Sequence, residues 1–164
     1  MTSGLGDSRK NAFWLAVAAA FLVDLASKEF VFSSSRDTLF SAFGGLLEIT
    51  RTVNTGAVFG IGQDMNALFT FLTATFLVVA VPYLLEIFLP RFSSLAAWII
   101  AGTGCGGVLG NYLDRLAYGH VRDFILVWRW PVFNLADSFI VLSFAVLIAL
   151  FWFGESRTPQ GGAA

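Results

Sequence analysis

Four stretches of mostly apolar residues, each about 20 residues long or longer, limit what this chain can fold into. They cover about residues 11–32, 65–89, 92–113 and 131–153. A helix needs about 20 apolar residues to cross the hydrocarbon core of a bilayer, so each stretch predicts a transmembrane helix. Only 13% of the residues are charged, against roughly 25% in soluble domains. We therefore predict an all-α membrane protein with a single integral-membrane domain over residues 1–153, followed by a polar C-terminal tail over residues 154–164.

An alternative for the first stretch is a cleaved signal peptide, because Arg9 and Lys10 precede its apolar part. Asp24 within that part, and the lack of a small-x-small cleavage site before it, argue against this alternative. The single Cys excludes a disulfide within the chain, and the single His excludes a metal site built from several His. A net charge of −1 gives no reason to expect a nucleic-acid partner.

The segments between the stretches predict a small β-sheet at the membrane surface. Leu47, Ile49 and Val53 alternate with polar residues, which is the pattern of a half-buried strand, and Gly44-Gly45 is a plausible turn before it. The segment 121–128 has a β-rich composition and is expected to extend the same sheet. Residues 56–63 are expected to form a short interfacial helix or flap. With four spans, both loops lie on one side of the membrane and face each other.

Charge counting leaves the orientation open. The loop side carries six Lys and Arg residues and the side of the termini carries four, which favours termini outside the cell. The count reverses if four of the loop residues are set aside as site residues, namely Lys28, Arg51, Arg115 and Arg122. The side of the termini then has four cations and the loop side two, which favours termini inside the cell.

Helical spacing brings polar residues toward one membrane face. Asn134 and Asp137 are three residues apart, with Asp137 about two turns inside the fourth span, and Asn111 and Asp114 repeat this spacing in the third. A charge at the centre of a membrane helix costs at least ~2.5–3.5 kcal/mol, which favours a functional role.

The same residues can also be explained by purely structural roles. Asp24 and Lys28, four residues apart, are equally explained as an ion pair, and Asp114 beside Arg115 as an interfacial pair. The two Asn side chains are explained by hydrogen bonds between helices. Asp137 is the hardest to explain in this way, because no Lys or Arg lies within one turn of it.

Two Asp side chains and no Ser-His pair or metal set predict aspartyl peptide hydrolysis. Asp123, in the loop before the fourth span, and Asp137 could share one proton, so that one carboxyl is an acid and the other a base that activates water. The alternatives are a proton-coupled transporter that uses Asp24 and Asp137 as a relay, and an assembly factor without catalysis. A transporter would need acids spread across the depth of the membrane. Here the acids cluster toward one membrane face, and Glu86 of the second stretch lies near the opposite face.

Five motifs occur in an order and spacing that resemble the bacterial lipoprotein signal peptidases, also called signal peptidase II. The motifs are VDLASK (Val23–Lys28), TRTVNTGAVFGI (Thr50–Ile61), GGVLGNYLDR (Gly106–Arg115), VRDF (Val121–Phe124) and FNLAD (Phe133–Asp137). Ser27 stands where Thr is common before the Lys. The resemblance covers about residues 11–153.

The resemblance implies a role for each matched residue. It makes Asp123 and Asp137 the catalytic pair. It gives the remaining matched residues site-supporting or substrate-binding roles. Among them it places Asn54 on a mobile flap, Arg115 in contact with the substrate backbone and Asn134 beside the catalytic Asp. The full set is Asp24, Lys28, Asn54, Asn111, Asp114, Arg115 and Asn134. Because Arg122 adjoins Asp123 and a cation favours an ionised carboxylate, we assign Asp123 as the base and Asp137 as the acid.

The resemblance also implies the fold, the substrate and the location. It implies four transmembrane helices with a small extracytoplasmic β-cradle, in the bacterial inner membrane, with both termini cytoplasmic. The implied substrate is a prolipoprotein whose Cys carries diacylglycerol, cut on the N-terminal side of that Cys without a metal or another cofactor. Membrane lipids are the other implied partner, binding of cyclic-peptide inhibitors is implied as well, and we expect a monomer.

Overall fold

The computed structural model describes residues 3–56 and 65–153 and contains four helical segments in that part of the chain. They are α1 (Ser3–Phe32), α2 (Asn66–Arg91), α3 (Leu95–Tyr118) and α4 (Leu135–Phe153). Of these described helices, α2 and α4 are long and apolar enough to cross a membrane. The predicted C-terminal tail, and the predicted flap from residue 57 onward, lie outside the described residues.

The observed helices begin and end differently from the predicted spans in two places that affect the site. α3 continues to Tyr118, so Asp114 and Arg115 belong to a helix rather than to a loop. α4 begins at Leu135 rather than near residue 131, so Asp137 lies in the first turn instead of two turns inside. The apolar composition of residues 131–133 hid this boundary from the sequence pattern.

α2 is not a regular α-helix over its whole length. Two π-helical stretches, Phe76–Ala80 and Leu84–Phe88, flank a short α-helical piece that contains Pro82. Proline lacks the N–H that an interior helical turn needs, and a wider turn is one way to accommodate it. α2 ends in a 3₁₀ turn, Leu89–Arg91, that contains the second proline.

α3 lies between α1 and α4 and approaches both through glycines. A Cβ on Gly106 would lie 2.5 Å from the Val17 carbonyl oxygen of α1, and a Cβ on Gly107 would lie 2.6 Å from the Ala136 carbonyl oxygen of α4. Real Cβ atoms do not approach backbone so closely, so larger residues here would push the helices apart. The apolar core lies in the half of the bundle away from the sheet and contains Phe13, Val17, Val81, Leu85, Leu89, Trp98, Ala101 and Cys105.

The predicted sheet is present as three antiparallel strands in the order β1 (Thr38–Ala42), β2 (Leu47–Asn54) and β3 (Val121–Val127). The turn predicted at Gly44-Gly45 joins β1 to β2, and both glycines have positive φ, of 67° and 88°. β3 pairs with β2 along its length, as its composition predicted. The site described below lies where this sheet meets the ends of the helices.

A bulge in β2 changes which side chains share a face with Asp123. Ile49 pairs with Ile125 and Thr52 pairs with Asp123, so β2 advances three residues while β3 advances two. Cross-strand partners lie on the same face of a sheet, and one extra residue reverses the alternation that follows it.

The predicted alternation is therefore wrong beyond Ile49. It placed Leu47 and Ile49 on the face opposite to Thr52 and Asn54, whereas the observed register places all four on one face. A bulge leaves little trace in an alternating pattern, because it adds one residue without changing the type of its neighbours.

Candidate active site

A cavity of about 980 Å³ opens where the sheet meets α3 and α4. Most of its polar lining comes from β2, β3, α3 and the first turn of α4, while residues 130–133 and the following turns of α4 supply most of the apolar lining. The lining residues are Thr52, Val53, Asn54, Thr55, Gly56, Asn111, Arg115, Val121, Asp123, Trp130, Pro131, Val132, Phe133, Asp137, Ser138, Ile140, Val141 and Leu142. Asp123 and Asp137 thus reach the same cavity from a strand and from a helix.

Asp123 is held on β3 by two amide groups. The Asn134 Nδ2 donates to its Oδ1 at 2.6 Å, and the Asn54 Nδ2 donates to its Oδ2 at 3.0 Å. Burial, reinforced by the charge of Asp137, raises the pKa of Asp123 to about 7, although both amide hydrogen bonds oppose the shift. Asp123 therefore exchanges its proton near neutral pH.

Asp137 is held by the start of its own helix. Asn134 is the residue before α4; its Oδ1 accepts from the Asp137 backbone N–H at 2.9 Å, and the Asp137 Oδ2 accepts from the Asn134 backbone N–H at 3.3 Å. This reciprocal pair is a capping box with Asp in the third helical position. The motif FNLAD therefore begins a helix and fixes a carboxylate at the same point.

Asn111 of α3 orients the second oxygen of Asp137. Its Nδ2 donates to the Asp137 Oδ1 at 2.8 Å, while its own Oδ1 accepts from the Lys28 Nζ at 2.9 Å and from the Asn134 Nδ2 at 3.1 Å. The two donors on the oxygen leave the Asn111 amide only one orientation that satisfies all partners. Asn111 thereby connects Lys28 of α1 to Asp137.

A buried ion-pair cluster lies behind these amides. Lys28 Nζ lies 2.7 Å from the Asp24 Oδ2 and 3.2 Å from the Asp114 Oδ2, and all three side chains are buried. The Asp24 Oδ1 accepts from the Ala136 backbone N–H at 2.9 Å, so α1 caps the first turn of α4. The predicted Asp24–Lys28 ion pair is present, and it also positions the helix that carries Asp137.

Arg122 belongs to this cluster and not to the cavity. Its Nη2 lies 2.8 Å from the Asp114 Oδ1 and its Nη1 lies 2.6 Å from the Glu29 Oε1, while the guanidinium lies 4.5 Å from the Tyr118 ring centroid. The guanidinium is engaged by these partners, so the expectation that it favours an ionised Asp123 loses its support. The assignment of one Asp as base and the other as acid therefore has no basis in this contact.

Arg115 is the cation that does line the cavity. Its Nη1 donates to the Asn111 carbonyl oxygen at 3.3 Å, and its guanidinium lies 5.8 Å from the Phe69 ring centroid. Within the described part of the chain, no carboxylate lies within ion-pair distance of it. A cation held in this way presents donors to whatever enters the cavity.

The structure brings all the residues singled out from the sequence into one hydrogen-bonded region, Arg115 joining it through Asn111. Glu29 was not predicted to belong to the site, although an acid next to Lys28 at the end of an apolar stretch was a visible signal. Among residues 3–56 and 65–153, no group of three His, Cys, Asp or Glu side chains is arranged to hold a metal ion.

Comparisons with known proteins agree with the geometry. The family model described as signal peptidase (SPase) II matches residues 16–153. The lipoprotein signal peptidase of Chromobacterium violaceum is 40% identical over 149 residues, which cover 83% of this chain and 88% of the relative. That of Pseudomonas fluorescens strain Pf0-1 is 35% identical over 161 residues, covering 93% and 92%.

A solved structure supports the fold. A bacterial membrane enzyme determined by the in meso method at 2.3 Å resolution superimposes with a TM-score of 0.77, at 24% identity over 92% of this chain and 93% of that chain. The family match and the relatives span most of this sequence. The chain therefore belongs to the signal peptidase II family, the membrane aspartyl peptidases that process lipoprotein precursors.

Proposed function

We propose that Asp123 and Asp137 are the catalytic pair of this peptidase. The observation that carries the proposal is that both carboxylates line one cavity and share a single orienting residue, Asn134, whose side chain binds one and whose backbone binds the other. Like charges that share a site resist double ionisation, so the pair holds one proton near neutral pH. The raised pKa of Asp123, about 7, supports this sharing.

The chemistry needs one carboxylate and one carboxylic acid. The carboxylate takes a proton from a water molecule, whose oxygen attacks the scissile carbonyl carbon, while the acid protonates the carbonyl oxygen. Collapse of the tetrahedral intermediate breaks the C–N bond, and the leaving amine receives a proton from the pair. The pair titrates as one unit, so the two roles belong to the pair rather than to a fixed member.

The proposed substrate is a prolipoprotein whose Cys carries diacylglycerol, cut on the N-terminal side of that Cys. The apolar wall of the cavity supports this choice, because Val141 and Leu142 are exposed on α4 and would meet lipid tails in a bilayer. Within residues 3–56 and 65–153, Arg115 keeps donors free for a backbone carbonyl of the substrate, and Asn54 ends β2 beside Asp123. A lipid-bearing substrate can then enter sideways from the membrane.

We further propose that all four helices span the bacterial inner membrane, with both termini cytoplasmic and the cavity at the extracytoplasmic face. The sheet and the buried ion pairs all lie at one end of α1, α3 and α4, which suits an interface. The clustering of acids at this end also disfavours a proton relay across the membrane. A monomeric enzyme and binding of cyclic-peptide inhibitors remain predictions that follow from the family.

The test is cleavage of a diacylglyceryl-modified prolipoprotein by the purified protein in detergent, with EDTA present. We expect Asp123→Asn and Asp137→Asn each to lower the rate by at least about 100-fold, since each removes a proton-transfer group. Asp37→Asn is the matched control, because Asp37 pairs with Arg51 on the exposed part of the sheet. Thermal melting confirms that each variant is folded.

Two outcomes would contradict the proposal in different ways. Wild-type rates in both Asn variants would exclude the catalytic pair. Equal cleavage of lipidated and unlipidated precursor would exclude the lipid-bearing substrate while leaving the pair intact.

A further inference from the structure

Thr52 lines the cavity and lies directly opposite Asp123 on the neighbouring strand. The two residues are register partners on β2 and β3, and both line the cavity. The Cβ atoms of such partners lie about 4.5–5.5 Å apart. The Thr52 hydroxyl makes no hydrogen bond to any side chain or backbone group of the described residues, so its donor is available to a molecule in the cavity.

The bulge in β2 is what places Thr52 there. Without the extra residue, Arg51 would be the register partner of Asp123. Arg51 instead turns away, with its Nη2 2.6 Å from the Asp37 Oδ1 and its Nη1 donating to the Ser34 carbonyl oxygen at 2.9 Å. The bulge thus replaces a cation with a neutral hydroxyl beside the carboxyl group.

The oxygens of Asp123 already accept one amide hydrogen bond each, from Asn134 and Asn54. A carboxylate has lone pairs for more than one donor on each oxygen, so the cavity side remains able to bind water. A water that bridges the two side chains would make one hydrogen bond of about 2.8 Å to each of them. Such a water accepts from the hydroxyl, donates to the carboxylate and keeps one lone pair for attack.

We propose that Thr52 is a positioning residue that holds the attacking water against Asp123. The inference rests on the proposed function, since it presumes that Asp123 belongs to the catalytic pair. The hydroxyl takes no proton from the reaction and acts only by fixing where the water lies. Positioning of this kind affects the chemical step more than the binding of substrate.

The experiment compares Thr52→Val, which keeps the shape and removes the hydroxyl, with Thr52→Ser, which keeps the hydroxyl. We expect Thr52→Val to lower kcat about 10- to 100-fold with KM within about twofold of wild type, and Thr52→Ser to stay within about threefold of the wild-type kcat. Thr38→Val is the matched control, because Thr38 lies on β1 outside the cavity lining. If Thr52→Val does not fold, Thr52→Ala takes its place in the comparison.

Several results would overturn the inference. They are a wild-type kcat in Thr52→Val, a loss confined to KM, or a loss that Thr52→Ser does not restore. In each of these cases inactive Asp123→Asn and Asp137→Asn variants would leave the proposed function standing. Active Asp variants would remove both proposals together.

Discussion

Asn134 contacts both members of the proposed pair through three different groups. Its Nδ2 donates to Asp123, its Oδ1 accepts from the Asp137 backbone, and its backbone N–H donates to the Asp137 carboxylate. One side chain therefore fixes the relative placement of a strand residue and a helix residue. Asn is a preferred residue before the first turn of a helix, which is the position that Asn134 occupies.

The raised pKa of Asp123 predicts a pH-dependent stability difference. Its unfolded value is 3.8 and its folded value is about 7, so between these pH values only the folded protein keeps the proton. Stability therefore falls as pH rises through this window and is constant above it. In Asp123→Asn this dependence is absent, so the variant should gain stability relative to wild type as pH rises.

Thermal unfolding in detergent at pH 5 and pH 8 measures the effect. We expect the melting temperature of Asp123→Asn, relative to wild type, to rise by about 4 °C between the two pH values, which corresponds to roughly 1–2 kcal/mol in a chain of this size. A difference that is the same at both pH values would mean that Asp123 is ionised throughout.

Residue types and spacings predicted much of the site. Asp137 was identified from the cost of a charge in an apolar stretch, Asp123 from its place in the loop before that stretch, and the Asp24–Lys28 pair from helical spacing. The partners of Arg122 were not predictable, because Glu29 lies 93 positions away in the chain. Only the packing of α1 against the sheet brings these two residues together.

At the scale of elements, α3 is the helix on which the site depends most. Its glycines at positions 102, 106 and 110 form a stripe against α1, and a Cβ on Gly110 would collide with the Asp24 carboxylate. A Cβ on Gly102 would collide with the Phe13 carbonyl oxygen instead, two turns away from the site. A substitution at one end of this stripe therefore disturbs helix packing alone, whereas a substitution at the other end also disturbs the geometry of the site.

Gly110→Ala and Gly102→Ala are a matched pair for this test. Both should lower the melting temperature by several degrees, since overpacking costs about 1–3 kcal/mol. Only Gly110→Ala should also lower the activity of the folded fraction, by about 10-fold or more, because it displaces Asp24 from the first turn of α4. Equal specific activity of the two folded variants would show that Asp24 does not control the position of Asp137.

The elements themselves were predictable to different degrees. Apolar length located all four helices, the alternation of apolar and polar residues located β2, and composition located β3. The bulge before Thr52 was not predictable, because Thr-Arg-Thr fits a regular strand equally well. The start of α4 was misplaced for a related reason, since Pro131–Phe133 is apolar but pairs with β3 through Phe133 and Ile125 rather than with the helix.

At the scale of the whole molecule, the proposed topology places Ser35 outside the cytoplasm and Ser93 inside it. Both residues are exposed, one after α1 and the other between α2 and α3. In a Cys105→Ser background, Ser35→Cys should react with a membrane-impermeant maleimide in spheroplasts. Ser93→Cys should react only after the membrane is permeabilised, and the opposite pattern would reverse the orientation.

The hydrogen bond from the Ala136 backbone N–H to Asp24 joins residues 112 positions apart. During synthesis α1 is made first, and Asp24 meets its partner only when α4 has been made. A chain that stops before Asn134 lacks both the residue that bridges the two proposed catalytic acids and one of those acids, whichever helices have already formed. Under the proposed function, ribosomes that release incomplete chains therefore add no unregulated proteolysis to the membrane, because hydrolytic competence appears in a single late step.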